Sequence, residues 1–156
     1  MKQKLPFFIK KIDESKDFRY CTIATVVFPA MGFKPEDFSL YDCNNKMVAK
    51  CTDGNLTVYP GYKWDGCTVI GNLTETPETL YASIPHDIYY IAKKNLDGVK
   101  LNYSLNEVDR YFFILMDSLY KNAGKNSCRP KLYFTGLKLL GWPWHYNKVK
   151  GYRVEK

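Results

Sequence analysis

Two residues, Asp53 and Gly54, constrain the fold of this chain more than any others. An Asp-Gly pair takes the two left-handed positions of a tight hairpin turn, and so short a turn forces its flanking segments to pair antiparallel. Residues 47–52 and 55–59 therefore read as two adjacent strands. Upstream, residues 18–28 are rich in Thr, Ile and Val, stop before Pro29, and read as a single strand. Phe38-Ser39-Leu40-Tyr41-Asp42 reads as another, turning at Asn44-Asn45-Lys46 into the hairpin. The first half thus predicts a small, mostly antiparallel sheet.

The second half changes period. Thr76-Pro77-Glu78 supplies an N-cap, a proline at the first helical position and an acid in the first turn. A helix is expected from there to about Asn95, with Leu80, Ile84, Ile88 and Ile91 on one face. Pro85 lies inside it and predicts a kink or break just before His86, because proline removes a backbone donor and crowds the preceding turn. Ser104 and Glu107 have the spacing of a capping box. The helix they start should reach about Lys121 and bury Val108, Phe112, Leu115 and Leu119. A third helix is expected from Pro130 to Gly141, followed by Pro143. The segment Gly141-Trp142-Pro143-Trp144-His145-Tyr146 is too aromatic for a linker and is expected to pack back on the body. The expected fold class is α+β. A length of 156 residues suits one domain, mostly β over 1–70, mostly α over 76–141, with a basic aromatic tail over 142–156.

Composition narrows the function classes. Hydrophobic residues at 46% support a packed core and argue against disorder. No apolar run approaches the ~18 residues of a membrane span, and Leu5-Pro6-Phe7-Phe8-Ile9 is too short for the core of a secretory signal. Five cysteines, an odd number with no Cys-x-x-Cys pair, point to free thiols in a reducing compartment and away from zinc. The net charge of +7 is concentrated: residues 121–156 hold nine Lys/Arg against one acid, Glu155. Such a patch suits anionic lipid, nucleic acid or an acidic protein partner, and equally a solvated surface with no partner.

Only two histidines occur, and one opens the run His86-Asp87-Ile88-Tyr89-Tyr90. His86 and Tyr90 are four apart on a helix and share a face. Asp87 points about 100° away from His86 and is free to serve something else, such as a metal. Asp109 stands near the start of the next helix and meets His86 if the two helices pack antiparallel. His86 would then activate water while Asp109 fixes its tautomer, with Tyr90 supporting. Asp87 would help to hold a hard cation such as calcium. The same groups also serve as a purely structural tie between two helices, and both readings stand. The loop Gly61-Tyr62-Lys63-Trp64-Asp65-Gly66-Cys67-Thr68 turns at Asp65-Gly66, and Asp65 or the loop carbonyls can face an ion. Trp64 reads as a core plug.

The order of these motifs resembles a functionally uncharacterised small-protein family of bacteriophages and prophages. That family carries a glycine loop with an Asp, then His-Asp-x-x-Tyr, then Asp-Arg-x-Phe, then a tyrosine-containing helix closed by glycine and an aromatic. The matching parts are Gly61 to Thr68, His86 to Tyr90, Asp109 to Phe112 and Tyr133 to Trp144. The resemblance implies a phage origin, a place in the virion or the bacterial host cytoplasm, and a one-domain α+β fold. It implies no reaction, and this chain departs from it at Pro85. A second, shorter resemblance is to phospholipase A2 enzymes, in particular the disulfide-free viral type. It implies His86 as the water-activating base, Asp87 as a calcium ligand, and Tyr90 and Asp109 as hydrogen-bond supports. The glycine-rich calcium loop of those enzymes is missing in its usual form, with Gly61 to Gly66 as a substitute. Three functions are thus expected: a virion-associated calcium-dependent ester hydrolase, a non-catalytic tail, portal or assembly component contacting other phage structural proteins, or a nucleic-acid binder using residues 121–156.

Overall fold

A computed structural model describes residues 8–12, 18–67, 75–96, 101–140 and 150–156. Among these the chain forms two antiparallel sheets and three helices, an α+β fold. Asp53 and Gly54 both have positive φ, 50° and 77°, as the hairpin turn requires. The turn joins β5 (Met47–Thr52) to β6 (Asn55–Val58) with Thr52 opposite Asn55. β4 (Phe38–Asp42) pairs with β5 through a register shift between Leu40 and Tyr41.

The single strand expected over 18–28 is instead two strands, β2 (Tyr20–Thr22) and β3 (Val26–Phe28), in different sheets. The cause lies opposite. β2 pairs with β7 (Lys63–Trp64) and β3 with β6, and between those partners the chain turns at Pro60-Gly61. Pro60 has no N–H for a ladder, and Gly61 adopts a φ of 107°. Thr22 secures the break: its hydroxyl donates to the Tyr59 carbonyl at 2.7 Å and accepts from the Tyr62 amide at 3.0 Å. β1 (Ile9–Lys11) completes the three-stranded sheet on the free side of β2.

β8 (Tyr152–Glu155) adds to the outer edge of β4, with Leu40 opposite Val154, and closes the five-stranded sheet in the order β3-β6-β5-β4-β8. The sequence predicts no strand here, and the packing-back that it predicts concerns residues 141–146. The aromatic segment 141–146 lies outside the described residues. Tyr152 also ties the two sheets together, since its hydroxyl donates to the Lys63 carbonyl at 2.6 Å.

α1 (Pro77–Asn95) starts as expected at Thr76, which forms a capping box with Thr79. It runs through Pro85 as one helix, so of the kink or break expected there the break does not occur. Ile84 and Ile88, on either side of Pro85, are fully buried, and that burial offsets the roughly 3 kcal/mol a mid-helix proline costs. α2 (Leu105–Asn122) begins at the Ser104–Glu107 capping box, and α3 (Cys128–Leu140) begins two residues before Pro130. α1 and α2 are antiparallel. Thr76, before α1, bonds Tyr120 near the end of α2, while Lys93 near the end of α1 bonds the Leu101 carbonyl just before α2. Leu80, Ile84, Ile88 and Ile91 are buried as expected, as are Val108, Phe112 and Leu115, while Leu119 is half-buried. No helix among the described residues is long and apolar enough to cross a membrane.

Candidate active site

The antiparallel pairing of α1 and α2 places His86 against Asp109. The His86 Nε2 lies 2.9 Å from Asp109 Oδ1, and the Tyr90 hydroxyl donates to the same oxygen at 2.7 Å. An ionised carboxylate only accepts, so Nε2 carries the proton and the neutral ring keeps its lone pair on Nδ1. Asp109 is 2% exposed and His86 9%. The imidazole is clamped between the Tyr90 and Phe112 rings, at centroid distances of 4.5 and 4.8 Å.

Asp87 departs from its expected direction. It turns back along the helix, so that Oδ1 lies 3.3 Å from His86 Nδ1. Half-buried Asp87 faces a cleft of about 60 Å³, room for roughly two waters. His86 lines that cleft too, together with Gly66 and Cys67 from the end of the glycine loop. The opposite wall is apolar, built from Phe112 of α2 and Tyr133 and Leu137 of α3.

Burial pulls the basicity of His86 down. The hydrogen bonds to Asp109 and Asp87 and their negative charges outweigh it, and the pKa rises from 6.5 to about 9. Asp65 lies in the exposed part of the loop, yet its carboxyl is pushed up to about 6, by local burial first and then by the charge of Asp87. Two carboxylates in one another's field favour a cation between them. Among the described residues no cluster of three or more His, Cys, Asp or Glu is arranged around a metal. A hard cation at Asp65 and Asp87 would therefore draw most of its six to eight oxygens from backbone and water. One loop carbonyl, that of Asp65, already accepts from the Arg19 guanidinium at 2.6 Å.

The chain matches no protein-family model, no curated protein and no solved structure.

The loop is held rigidly. Arg19 pairs with Glu75 at 3.1 Å, and the Tyr20 hydroxyl donates to Glu75 at 2.6 Å. Trp64 is a buried plug, stacked on Tyr62 and bonded through Nε1 to Ser83 at 3.1 Å. Gly66 has a φ of 91°, and a Cβ there would collide with a Glu75 carboxylate oxygen and meet the Tyr20 ring at 2.7 Å. Gly66→Ala should therefore lower stability by about 2 kcal/mol through left-handed strain and overpacking. A urea-unfolding midpoint equal to that of the wild type would show that the loop adapts freely. The sequence did not reveal the roles of Tyr133 and Leu137. Tyr133 stands out there only as the tyrosine of a matching helix, and its spacing of four from Leu137 on α3 puts the two on one face.

Proposed function

We propose that this is a bacteriophage-encoded, virion-associated protein that hydrolyses acyl esters at His86, in the manner of phospholipase A2. The observation that carries the reading is the orientation of the imidazole. Asp109 holds Nε2, Nδ1 lies beside Asp87 Oδ1 at 3.3 Å, and His86 and Asp87 together line a cleft with the glycine loop. In the reaction, the oxygen of a cleft water bonds to the ester carbonyl carbon while its proton passes to Nδ1, and the carbonyl electron pair moves onto oxygen. Collapse then re-forms the carbonyl and expels the alkoxide, which takes the proton back from Nδ1. Asp109 stabilises the imidazolium formed between these steps, and Tyr90 fixes Asp109. Asp87 and Asp65 are the residues that would hold calcium. A bound calcium ion would polarise the scissile carbonyl.

Two exposed leucines of α3, Leu132 and Leu139, stand beside Lys131 and Lys138 and support anionic lipid as the partner of the basic segment. Nucleic acid fits less well. Lys121, Lys125, Arg153 and Lys156 pair with Asp117, Glu78, Glu155 and Glu36, which removes charge from the patch. A second reading, a non-catalytic tail, portal or assembly component, is favoured by the depth of the network: Asp109 is almost wholly buried and joins α1 to α2.

The test is hydrolysis of phosphatidylglycerol vesicles with calcium and with EDTA, by the wild type and by His86→Ala. Calcium-dependent release of fatty acid, lost in His86→Ala, is the expected result. A wild type that releases none under either condition would leave the structural reading.

A further inference from the structure

Tyr133 is 2% exposed and packs edge-on to Phe112, with ring centroids 6.5 Å apart. The thiol of Cys67 is beside its hydroxyl but is a weak partner, and among the described residues no other group completes a hydrogen bond with it. Buried hydroxyls normally find a partner, so an orphan at a cavity wall is a donor held ready for something that enters. Among the described residues the hydroxyls of Tyr62 and Tyr89 also lack a hydrogen-bond partner, yet of the three it is Tyr133 that lines the cleft with His86 and Asp87.

The surroundings narrow what can enter. Asp87 makes the polar side of the lining acidic, which disfavours an anionic group unless a cation accompanies it. Phe112 and Leu137 make the other side apolar. The volume suits a carbonyl and the first methylenes of a chain better than a bulky polar head.

We propose that Tyr133 is a substrate-binding residue whose hydroxyl donates to the carbonyl oxygen of an acyl group, with Phe112 and Leu137 receiving the adjoining methylenes. The acyl ester as substrate rests on the hydrolytic reading of His86, whereas binding of a carbonyl does not. As the carbonyl becomes an oxyanion the Tyr133 bond strengthens, so the residue contributes to rate as well as to affinity.

The test uses N-methyloctanamide, an amide analogue that keeps the carbonyl and the chain but resists hydrolysis. Calorimetry measures its affinity for the wild type and for Tyr133→Phe, and thermal unfolding is followed for both proteins. Tyr133→Phe should bind about tenfold more weakly, equivalent to ~1.4 kcal/mol. It should melt no lower than the wild type, since the change removes an unpaired buried hydroxyl. Equal affinity for the two proteins, no binding by the wild type, or a lowered melting temperature in Tyr133→Phe would overturn the assignment. Binding that depends on Tyr133, in a protein that turns over no ester, would overturn the hydrolytic reading and leave Tyr133 in place. Ester turnover lost in His86→Ala but unchanged in Tyr133→Phe, with amide affinity also unchanged, would do the reverse.

Discussion

Asp109→Ala should destabilise the protein by about 3–5 kcal/mol, the cost of breaking a buried charged hydrogen-bonded pair by removing one partner. The substitution strips two donors of their acceptor at once, the His86 Nε2–H and the Tyr90 hydroxyl. Water takes the place of the lost acceptor poorly, because Asp109 itself is only 2% exposed between the two helices. Asp109→Asn keeps an acceptor oxygen in the same place and should cost only about 1–2 kcal/mol, the loss of charge assistance from two hydrogen bonds. Urea unfolding of the three proteins gives both numbers. If Asp109→Ala unfolds at the wild-type urea concentration, the network contributes nothing to the fold. Hydrolysis per folded molecule is the second readout. A base held in the wrong tautomer should lose about 10²–10⁴-fold in rate. An undiminished rate in folded Asp109→Asn would make the network a structural tie and no more.

The second large effect is on pH. In the absence of divalent cations the His86 pKa is about 9, against 6.5 for an ordinary histidine. A group whose pKa is raised by folding contributes stability that is complete below its unfolded value and fades as pH climbs through its folded value. His86 should therefore add stability of about 3 kcal/mol at pH 6, most of it gone by pH 9.5. Other groups titrate in the same protein, Asp65 among them, so the quantity to measure is the wild-type stability minus that of His86→Gln, in EDTA. That difference should shrink steadily from pH 6.5 to 9.5. A difference that stays flat across this range would mean that His86 is neutral throughout. The same protonation bears on turnover, since only the neutral ring accepts a proton, so the rate should rise with pH as the imidazolium is lost.

The parts that were legible in the sequence are those set by local chemistry. Asp53-Gly54, Thr76-Pro77 and Ser104–Glu107 each satisfy backbone groups within a few residues, so the hairpin and two helix starts could be read directly. The meeting of His86 with Asp109 and Tyr90 followed from helical spacing once an antiparallel pair was assumed. What escaped depends on distant partners. The segment 18–28 has uniform β composition, and nothing within it reveals that it faces a turn at Pro60-Gly61 and must divide there. β8 has only four residues and one buried side chain, Val154, too short a pattern to show a period. Asp87 turns toward His86 through a side-chain rotation that residue spacing does not determine. Pro85 was judged by its local cost alone, whereas the isoleucines beside it settled the outcome. The unpaired hydroxyl of Tyr133 is a property of its neighbourhood and leaves no trace in the order of residues.

The place of β8 also governs how the molecule comes into being. β4 is synthesised early, but its outer neighbour is β8, and bonds such as that between Lys156 and Glu36 span 120 positions of chain. While the ribosome is still making the helices, β4 shows a bare row of amides and carbonyls to whatever is nearby. A second nascent copy can offer its own β8 to that row as readily as the first, so crowded synthesis favours strand exchange between neighbours.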